Sequence, residues 1–169
     1  MVAAGFSLRE IDMVLEKKHR LHRASYVGLV RATFTLCVKD KKTLFDNQVI
    51  VNQFINIFEE VTEMERLRNW VYIFMPDHFH AIIEGKTLES DLWRGMVLFK
   101  QRTGYWLSKN NINREWQKDF YDHIHRKEED LVKDIRYILE NSVRKGLVKN
   151  WKDYPYKGSL DFNLEELVR

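Results

Sequence analysis

The sequence is poor in cysteine and lacks a long apolar run. Its 169 residues include one cysteine, Cys37, which excludes an intrachain disulfide and favours the reducing cytoplasm. Because Cys37 lies in an apolar, strand-like run, we expect a buried small side chain. No segment approaches the roughly 20 apolar residues that span a bilayer, so we expect no membrane partner. Arg9, Glu10 and Asp12 stand where a signal peptide would be continuously apolar.

The chain also lacks a large excess of one charge. Its net charge of +3 is too small to indicate a nucleic-acid partner by itself. Two local patches are more basic: residues 17–23 contain no acid, and residues 136–152 carry five Lys or Arg and one acid. Such patches can contact phosphates, although a solvated helix face explains them equally well.

The spacing of apolar residues predicts one domain with the element order β-α-β-β-α-β-α. The composition, with 44% hydrophobic and 13% aromatic residues, supports an ordinary core. The expected strands and helices are Leu29–Val38, a helix after Asp46, Asn69–Met75, His78–Glu84, a helix after Ser90, Phe120–His125 and a helix over Glu128–Arg144. This order is typical of an α+β split βαβ fold, ferredoxin- or RRM-like, with an antiparallel sheet and helices on one face.

Several residues mark the expected ends of these elements. Asp46 and Ser90 can cap the first two helices, and Gly146 is placed to end the third. Residues 7–22 resemble a helix and form an N-terminal extension, and the segment from Lys149 resembles a tail. Three aromatic residues of that tail can dock on the rest of the domain: Trp151, Tyr154 and Tyr156.

The most informative motif is a pair of histidines around one bulky apolar residue. His78 and His80 follow the turn signal of residues 76–77 and flank Phe79. Because side chains alternate across a strand, both imidazoles point to one face while Phe79 enters a core on the other. Two neighbouring imidazoles begin a divalent metal site. Such a pair alone is more often ordinary strand surface, so a metal site here requires a third ligand or a nucleophile nearby.

The third helix supplies candidate partners for these histidines. Its apolar stripe is Leu131, Ile135, Ile138 and Leu139. A different face carries Asp130, Asp134, Tyr137 and Asn141 at spacings of four, three and four. The Asn141 amide oxygen can be a metal ligand, and Tyr137 can be a nucleophile that forms a covalent intermediate. Taken alone, a tyrosine on a helix face is usually solvated or part of ordinary packing.

Other residues compete for these roles. Tyr121 lies two residues before His123 but has no ligand-type residue one helical turn away, and Tyr72 lies in a dense apolar strand where core packing is expected. His123 and His125 repeat the strand spacing of the first pair. Four roles remain open for these two residues. They could be ordinary sheet surface, support the first pair, contact DNA, or bind the metal in place of the first pair. Tyr137 is the preferred nucleophile.

Several segments together resemble the single-tyrosine HUH transposases of the IS200/IS605 type, and within that group most of all the REP-associated tyrosine transposases. The resemblance covers roughly residues 25–158. The segments that carry it are Gly28–Phe45, Met75–Glu84, Phe99–Thr103, Trp116–His123, Tyr137–Val148 and Trp151–Pro155. The chain departs from the group at Ser142, where relatives have proline, and residues 1–24 have no counterpart.

The resemblance implies a transposase domain over residues 25–158, preceded by an extension (1–24) and followed by a tail (159–169). It implies a prokaryotic, nucleoid-associated endonuclease and strand transferase that acts on single-stranded DNA near imperfect palindromic hairpins, as a monomer or a homodimer. Tyr137 would form a 5′-phosphotyrosine link, while His78, His80 and Asn141 would bind Mg²⁺ or Mn²⁺. The basic residues expected at the DNA are Lys100, Arg102, Arg136, Arg144 and Lys145.

Two other functions fit parts of the same pattern. A non-catalytic module could bind single-stranded nucleic acid through aromatic stacking and phosphate contacts. Such a module has no need of Tyr137 beside Asn141. A metal-dependent hydrolase could instead activate water. It would turn over without a covalent protein–DNA adduct, and it would tolerate Tyr137→Phe.

Overall fold

The computed structural model describes residues 21–126 and 130–169, which form a five-stranded antiparallel sheet. The strands are β1 (Arg31–Cys37), β2 (Leu67–Met75), β3 (His78–Gly85), β4 (Tyr121–Ile124) and β5 (Lys157–Gly158), in the spatial order β4-β1-β3-β2-β5. The four predicted strands are confirmed with shifted ends. The two-residue β5 was not predicted, because a segment this short has no periodicity to detect.

Helices connect and cover the strands, which confirms the predicted α+β class. They are α1 (Gln48–Met64), α2 (Leu92–Lys109), α3 (Leu131–Leu139), α4 (Asn141–Arg144) and α5 (Leu164–Leu167), with short 3-10 turns at Arg23–Tyr26, Lys39–Lys41 and Trp151–Asp153. Within the described part of the chain, no helix has the length and apolar content needed to cross a membrane. Most of the expected N-terminal helix (7–22) lies outside the described residues, as does Glu128.

The expected helix caps were each wrong by one residue. Asn47, not Asp46, accepts from the amides at the start of α1. Asp91, not Ser90, accepts from the amide of Arg94 and caps α2. Ser90 is buried, and its hydroxyl donates to the carbonyl oxygen of Arg66 at 2.7 Å. In both pairs two neighbouring side chains could cap the helix. The second residue of each pair is the observed cap, and it has the extended backbone conformation of an N-cap residue.

The predicted third helix is divided into two. Helix α3 begins after its cap Asp130, and a break at Glu140 separates it from α4. The buried Ser142 hydroxyl donates to the carbonyl oxygen of Leu139 at 3.1 Å across this break. Gly146 follows with φ 70°, a left-handed conformation that glycine adopts without strain. The predicted role of Gly146 in ending the helical segment is therefore confirmed.

The sheet carries helices on both faces, whereas the sequence predicted them on one face. Helices α1 and α2 pack on one face, where Phe54, Phe79 and Phe99 form part of an aromatic core. Helix α3 packs on the opposite face, where the predicted stripe residues Ile135, Ile138 and Leu139 meet apolar residues of β2 and β3. Because this face is only partly covered, polar side chains of β1, β3 and β4 remain accessible beside α3.

The segment after Lys149 packs against β2 rather than extending from the domain. The Tyr154 hydroxyl donates to the carbonyl oxygen of Phe74 at 2.7 Å, and the Phe74 amide donates to the carbonyl oxygen of Tyr156 at 2.8 Å. Tyr154 is 6% exposed, so its predicted docking is confirmed. Residues 159–169, expected to be a tail, contain α5 and also contact β2 through Asn69.

Candidate active site

Strand β3 presents its two histidines on the face that carries α3. Phe79 is fully buried in the core on the opposite face, as the alternation of the strand predicted. The rings of His78 and His80 are neighbours, with centroids 4.6 Å apart and planes at 84°. Strand periodicity therefore places two imidazoles side by side on the partly covered face.

Each histidine ring is oriented through its Nδ1 atom. His80 Nδ1 lies 2.7 Å from the hydroxyl oxygen of Thr35, its cross-strand partner on β1. His78 Nδ1 lies 2.6 Å from a carboxylate oxygen of Asp77. With Nδ1 engaged in this way, Nε2 is the nitrogen of each ring that can bind a metal ion. Metal-binding histidines commonly have such a hydrogen bond behind them, which fixes the ring and its tautomer.

Burial keeps the His80 imidazole neutral. Desolvation, followed by the charges of His78 and Arg144, lowers the pKa of His80 to about 3 from its ordinary 6.5. A neutral imidazole has the free lone pair that metal coordination requires. Within the described residues there is no group of three or more His, Cys, Asp or Glu side chains suited to a metal ion. The predicted metal ligands, His78, His80 and Asn141, are not such a group, because the third ligand is an amide.

A cleft of about 230 Å³ lies between α3 and the sheet. His80 lines it from β3, and both Tyr137 and Asn141 line it from the helical side. The Tyr137 side chain is 65% exposed, so a large substrate can reach the phenol. The structure thus brings three of the four predicted central residues to one cleft, while His78 lies beside it as the neighbour of His80.

Arg144 holds the ring of Tyr137. Its guanidinium carbon lies 4.0 Å from the Tyr137 ring centroid, and its NH2 group donates to the Tyr137 carbonyl oxygen at 2.8 Å. This cation–π geometry restricts the ring and keeps a positive charge beside the phenol. The charge also acts on His80, whose pKa it helps to lower. Arg144 therefore belongs to the site.

The other basic residues predicted at the DNA lie apart from the cleft. On α2, Lys100 donates to the carbonyl oxygens of Gln117 and Lys118, and Arg102 pairs with Glu60 at 3.0 Å. Arg136 projects from α3 and donates to the carbonyl oxygen of Val168 at 2.7 Å. Lys145 is exposed directly after Arg144. Contact of these residues with DNA stays a prediction.

Sequence reasoning missed part of the cleft. Thr33 and Thr35 of β1 line it, and so do His123, His125 and Asp134. The spacing of the second histidine pair is visible in the sequence, but its place beside Tyr137 follows only from the pairing of β1 with β4 and from the position of α3. The two threonines alternate along a strand, which is the signal that could have identified a polar face.

The competing nucleophiles have different surroundings. Tyr72 is 7% exposed in the core, as predicted. Tyr121 pairs with Thr35 on the face of the site and is 60% exposed, yet it is not among the residues that line the cleft. Cys37 is half-buried rather than fully buried, and burial raises the pKa of its thiol. A raised pKa disfavours the nucleophilic thiolate.

Comparison with known proteins identifies relatives of this fold and sequence. The family model described as "Transposase IS200 like" matches residues 26–140. A REP-associated tyrosine transposase of Escherichia coli K12 is 26% identical over 129 residues, covering 73% of this chain and 72% of the relative. A Haemophilus influenzae protein, provisionally named a REP-associated tyrosine transposase, is 25% identical over 134 residues, covering 73% of this chain and 76% of its own length.

A solved structure shares the fold of this chain. It is a REP-associated tyrosine transposase bound to a REP hairpin, with a TM-score of 0.67 and 19% sequence identity. The match covers 84% of this chain and 82% of the solved one. At this identity the likeness establishes the common architecture.

Proposed function

The chain belongs to the IS200-like transposase family, and from this premise we propose that it cuts and rejoins single-stranded DNA through a covalent tyrosine–DNA intermediate. The observation that carries the proposal is the cleft shared by His80, Tyr137 and Asn141. An accessible phenol beside a neutral imidazole and an amide oxygen combines a nucleophile with two groups suited to a metal.

In the proposed reaction the Tyr137 oxygen attacks a backbone phosphorus. A bond forms between this oxygen and phosphorus while the bond from phosphorus to the 3′ oxygen breaks. The products are a 5′-phosphotyrosine and a free 3′-OH, and attack by that or another 3′-OH reverses the step. A phenol has a reference pKa of about 10, so it must give up its proton as it attacks. Arg144, stacked on the ring, is suited to bind the phosphate charge nearby.

The residues at the cleft fit a divalent ion. His78 and His80 have their Nδ1 atoms engaged by Asp77 and Thr35, which turns Nε2 toward a ligand, and Asn141 offers an amide oxygen. We propose that these three residues bind Mg²⁺ or Mn²⁺. Bound there, the ion would polarise the phosphodiester and stabilise charge on the leaving oxygen.

We propose a DNA hairpin flanked by single strand as the substrate. The support is the relative of the same fold that is bound to a REP hairpin. Arg144 and Lys145 would contact phosphates next to the cleaved bond. The remaining predicted contacts, Lys100, Arg102 and Arg136, would meet DNA farther from the cleft.

The decisive experiment asks which tyrosine becomes linked to DNA. The protein is incubated with Mn²⁺ and labelled hairpin oligonucleotides taken from the flanks of its own gene, and products are separated on a denaturing gel. We expect a covalent band with wild type and none with Tyr137→Phe. Tyr121→Phe is the matched control, because it removes an exposed phenol on the same face outside the cleft, and it should behave as wild type.

Each alternative gives a different pattern in this assay. Cleavage that survives Tyr137→Phe without an adduct would replace the tyrosine mechanism by a water-activating hydrolase. Hairpin binding without cleavage at any metal concentration would indicate a binding module. An adduct lost in Tyr121→Phe but kept in Tyr137→Phe would show that the wrong tyrosine has been chosen.

A further inference from the structure

His125, from the second histidine pair, makes polar contacts with the sheet and with α3, the helix that carries Tyr137. The His125 side chain is 1% exposed, and its Nε2 lies 2.7 Å from the hydroxyl oxygen of Thr33. Its Nδ1 lies 3.3 Å from a carboxylate oxygen of Asp134 on α3. His125 thus hydrogen-bonds to Thr33 on β1, and its other ring nitrogen lies within ion-pair distance of the Asp134 carboxylate on α3.

Asp134 lies one helical turn before the proposed nucleophile. Residues three apart on a helix are neighbours on its surface, and Asp134 and Tyr137 both line the cleft. A shift or rotation of α3 that breaks the contact with His125 would therefore also move Tyr137. The position of the phenol is coupled to His125 through a single turn of helix.

The apolar packing of α3 lies on an adjoining face of the helix, and Ile138 also lines the cleft. Ile135, Ile138 and Leu139 contact the part of the sheet formed by β2 and β3, whereas His125 follows β4 at the opposite edge. A helix of nine residues held along one apolar ridge can still roll about that ridge. A second point of contact beside this ridge, toward the β4 edge of the sheet, restricts this freedom.

We propose that His125 and Asp134 are positioning residues, which hold α3 so that Tyr137 stays directed into the cleft beside His80. The inference rests on the proposed tyrosine mechanism and extends it to two residues that do not touch the reacting atoms. Thr33 supports the arrangement by orienting His125 through Nε2, whereas Thr35, two residues further along β1, contacts Nδ1 of His80.

The test compares full-length variants at saturating DNA. Asp134→Asn keeps the shape of the side chain, and His125→Phe keeps a planar ring without polar atoms. With the hairpin oligonucleotide that wild type links, we expect the single-turnover rate of adduct formation to fall roughly 10–100-fold, as small displacements of a nucleophile do. The dissociation constant for DNA should change less than about threefold, because neither residue is proposed to bind it.

Three further variants separate positioning from general damage to the fold. The double variant should be no slower than the worse single variant, since both substitutions break one contact. Thr33→Val removes only the hydroxyl behind His125 and should show a smaller loss in the same direction. Glu140→Gln removes an exposed carboxylate next to α3, and it should react at the wild-type rate.

Hydrogen exchange gives a measurement that needs no reaction. In Asp134→Asn and His125→Phe, the amides of α3 should exchange faster while those of β2 and β3 keep wild-type protection. Unchanged exchange in α3 would overturn the inference, as would wild-type adduct rates in both variants. Additive rate losses accompanied by equal losses of DNA affinity would indicate a structural role instead. If wild type forms no adduct, the proposed function fails, and the hydrogen-exchange data alone test whether the contact between His125 and Asp134 holds α3 in place.

Discussion

At the scale of single residues, the orientation of His80 depends on a hydroxyl group that belongs to another strand. Thr35 is the cross-strand partner of His80, and its hydroxyl reaches Nδ1 of that ring. Thr33, two residues earlier on β1, places its hydroxyl oxygen 2.7 Å from Nε2 of His125. Two chemically identical side chains on one strand thus contact different histidines. The same substitution at each threonine is therefore a control for the other.

Thr35→Val should weaken metal binding selectively. Valine has nearly the shape of threonine but cannot hydrogen-bond to His80, and loss of such a supporting group typically costs 10–100-fold in metal affinity. We expect a decrease of about this size in Mn²⁺ affinity, measured by calorimetric titration of the purified protein. Thr33→Val should bind Mn²⁺ as wild type does. Equal affinities for all three proteins would show that the hydroxyl does not support the ligand.

The sequence allowed prediction of some of these residues and not of others. Alternation along one strand is local, so the shared face of His78 and His80 could be predicted without knowing any neighbour. The contacts of Thr35 with His80 and of His125 with Asp134 join residues 45 and nine positions apart, across different elements. They depend on strand register and on helix placement, which the pattern of a single segment does not specify.

At the scale of elements, the segment that carries Tyr154 is fixed to the sheet by a buried hydroxyl. The phenol donates to the carbonyl oxygen of Phe74, next to the pairing of β5 with β2. The sequence suggested docking because three aromatic residues occur close together after Lys149. It did not indicate a strand, since pairing over two residues leaves no alternating pattern.

Tyr154→Phe should reduce stability by an amount that depends on pH. At neutral pH we expect a loss of about 1 kcal/mol for one hydrogen bond. Burial raises the pKa of Tyr154 to about 12 from its ordinary 10, so the unfolded chain loses this proton first. The contribution is therefore complete below pH 10 and is lost as the pH rises through about 12.

Urea unfolding at pH 8 and pH 11 measures this effect. The difference in unfolding free energy between wild type and Tyr154→Phe should be smaller at pH 11. Tyr105→Phe is the control, because its phenol is 66% exposed and its removal should give little difference from wild type at either pH. A difference for Tyr154→Phe that is constant between the two pH values would contradict a buried, protonated phenol.

At the scale of the whole molecule, the sheet needs a cover on each face, and the two covers come from different parts of the chain. Helices α1 and α2 cover one face, and their apolar spacing made them predictable. The other face is covered by α3 together with residues 151–168. The order of elements could be predicted from the sequence, but the packing of helices on both faces of the sheet could not. Periodicity shows that a helix has an apolar side, but it does not show which face of the sheet that side packs against.

Removal of residues 159–169 should therefore destabilise the whole domain. The buried Asn69 would lose its three bonds to this segment, at 2.9 Å to Ser159, 3.1 Å to Leu160 and 2.8 Å to Asp161, and Trp70 would lose the stacked ring of Phe162 at 4.3 Å. Three hydrogen bonds amount to about 3 kcal/mol, which corresponds to a fall in Tm of roughly 6–12 °C for a chain of this size.

Calorimetry on two shortened chains distinguishes this segment from a dispensable tail. A chain that ends at Gly158 loses every contact with Asn69 named above, whereas a chain that ends at Asn163 keeps them and lacks α5 with the two residues after it. We expect most of the loss in Tm to occur between these two end points. If both chains melt within about 2 °C of wild type, which is less than 1 kcal/mol by the same scaling, the segment adds nothing to the fold. The domain then ends at residue 158, as the sequence resemblance implies.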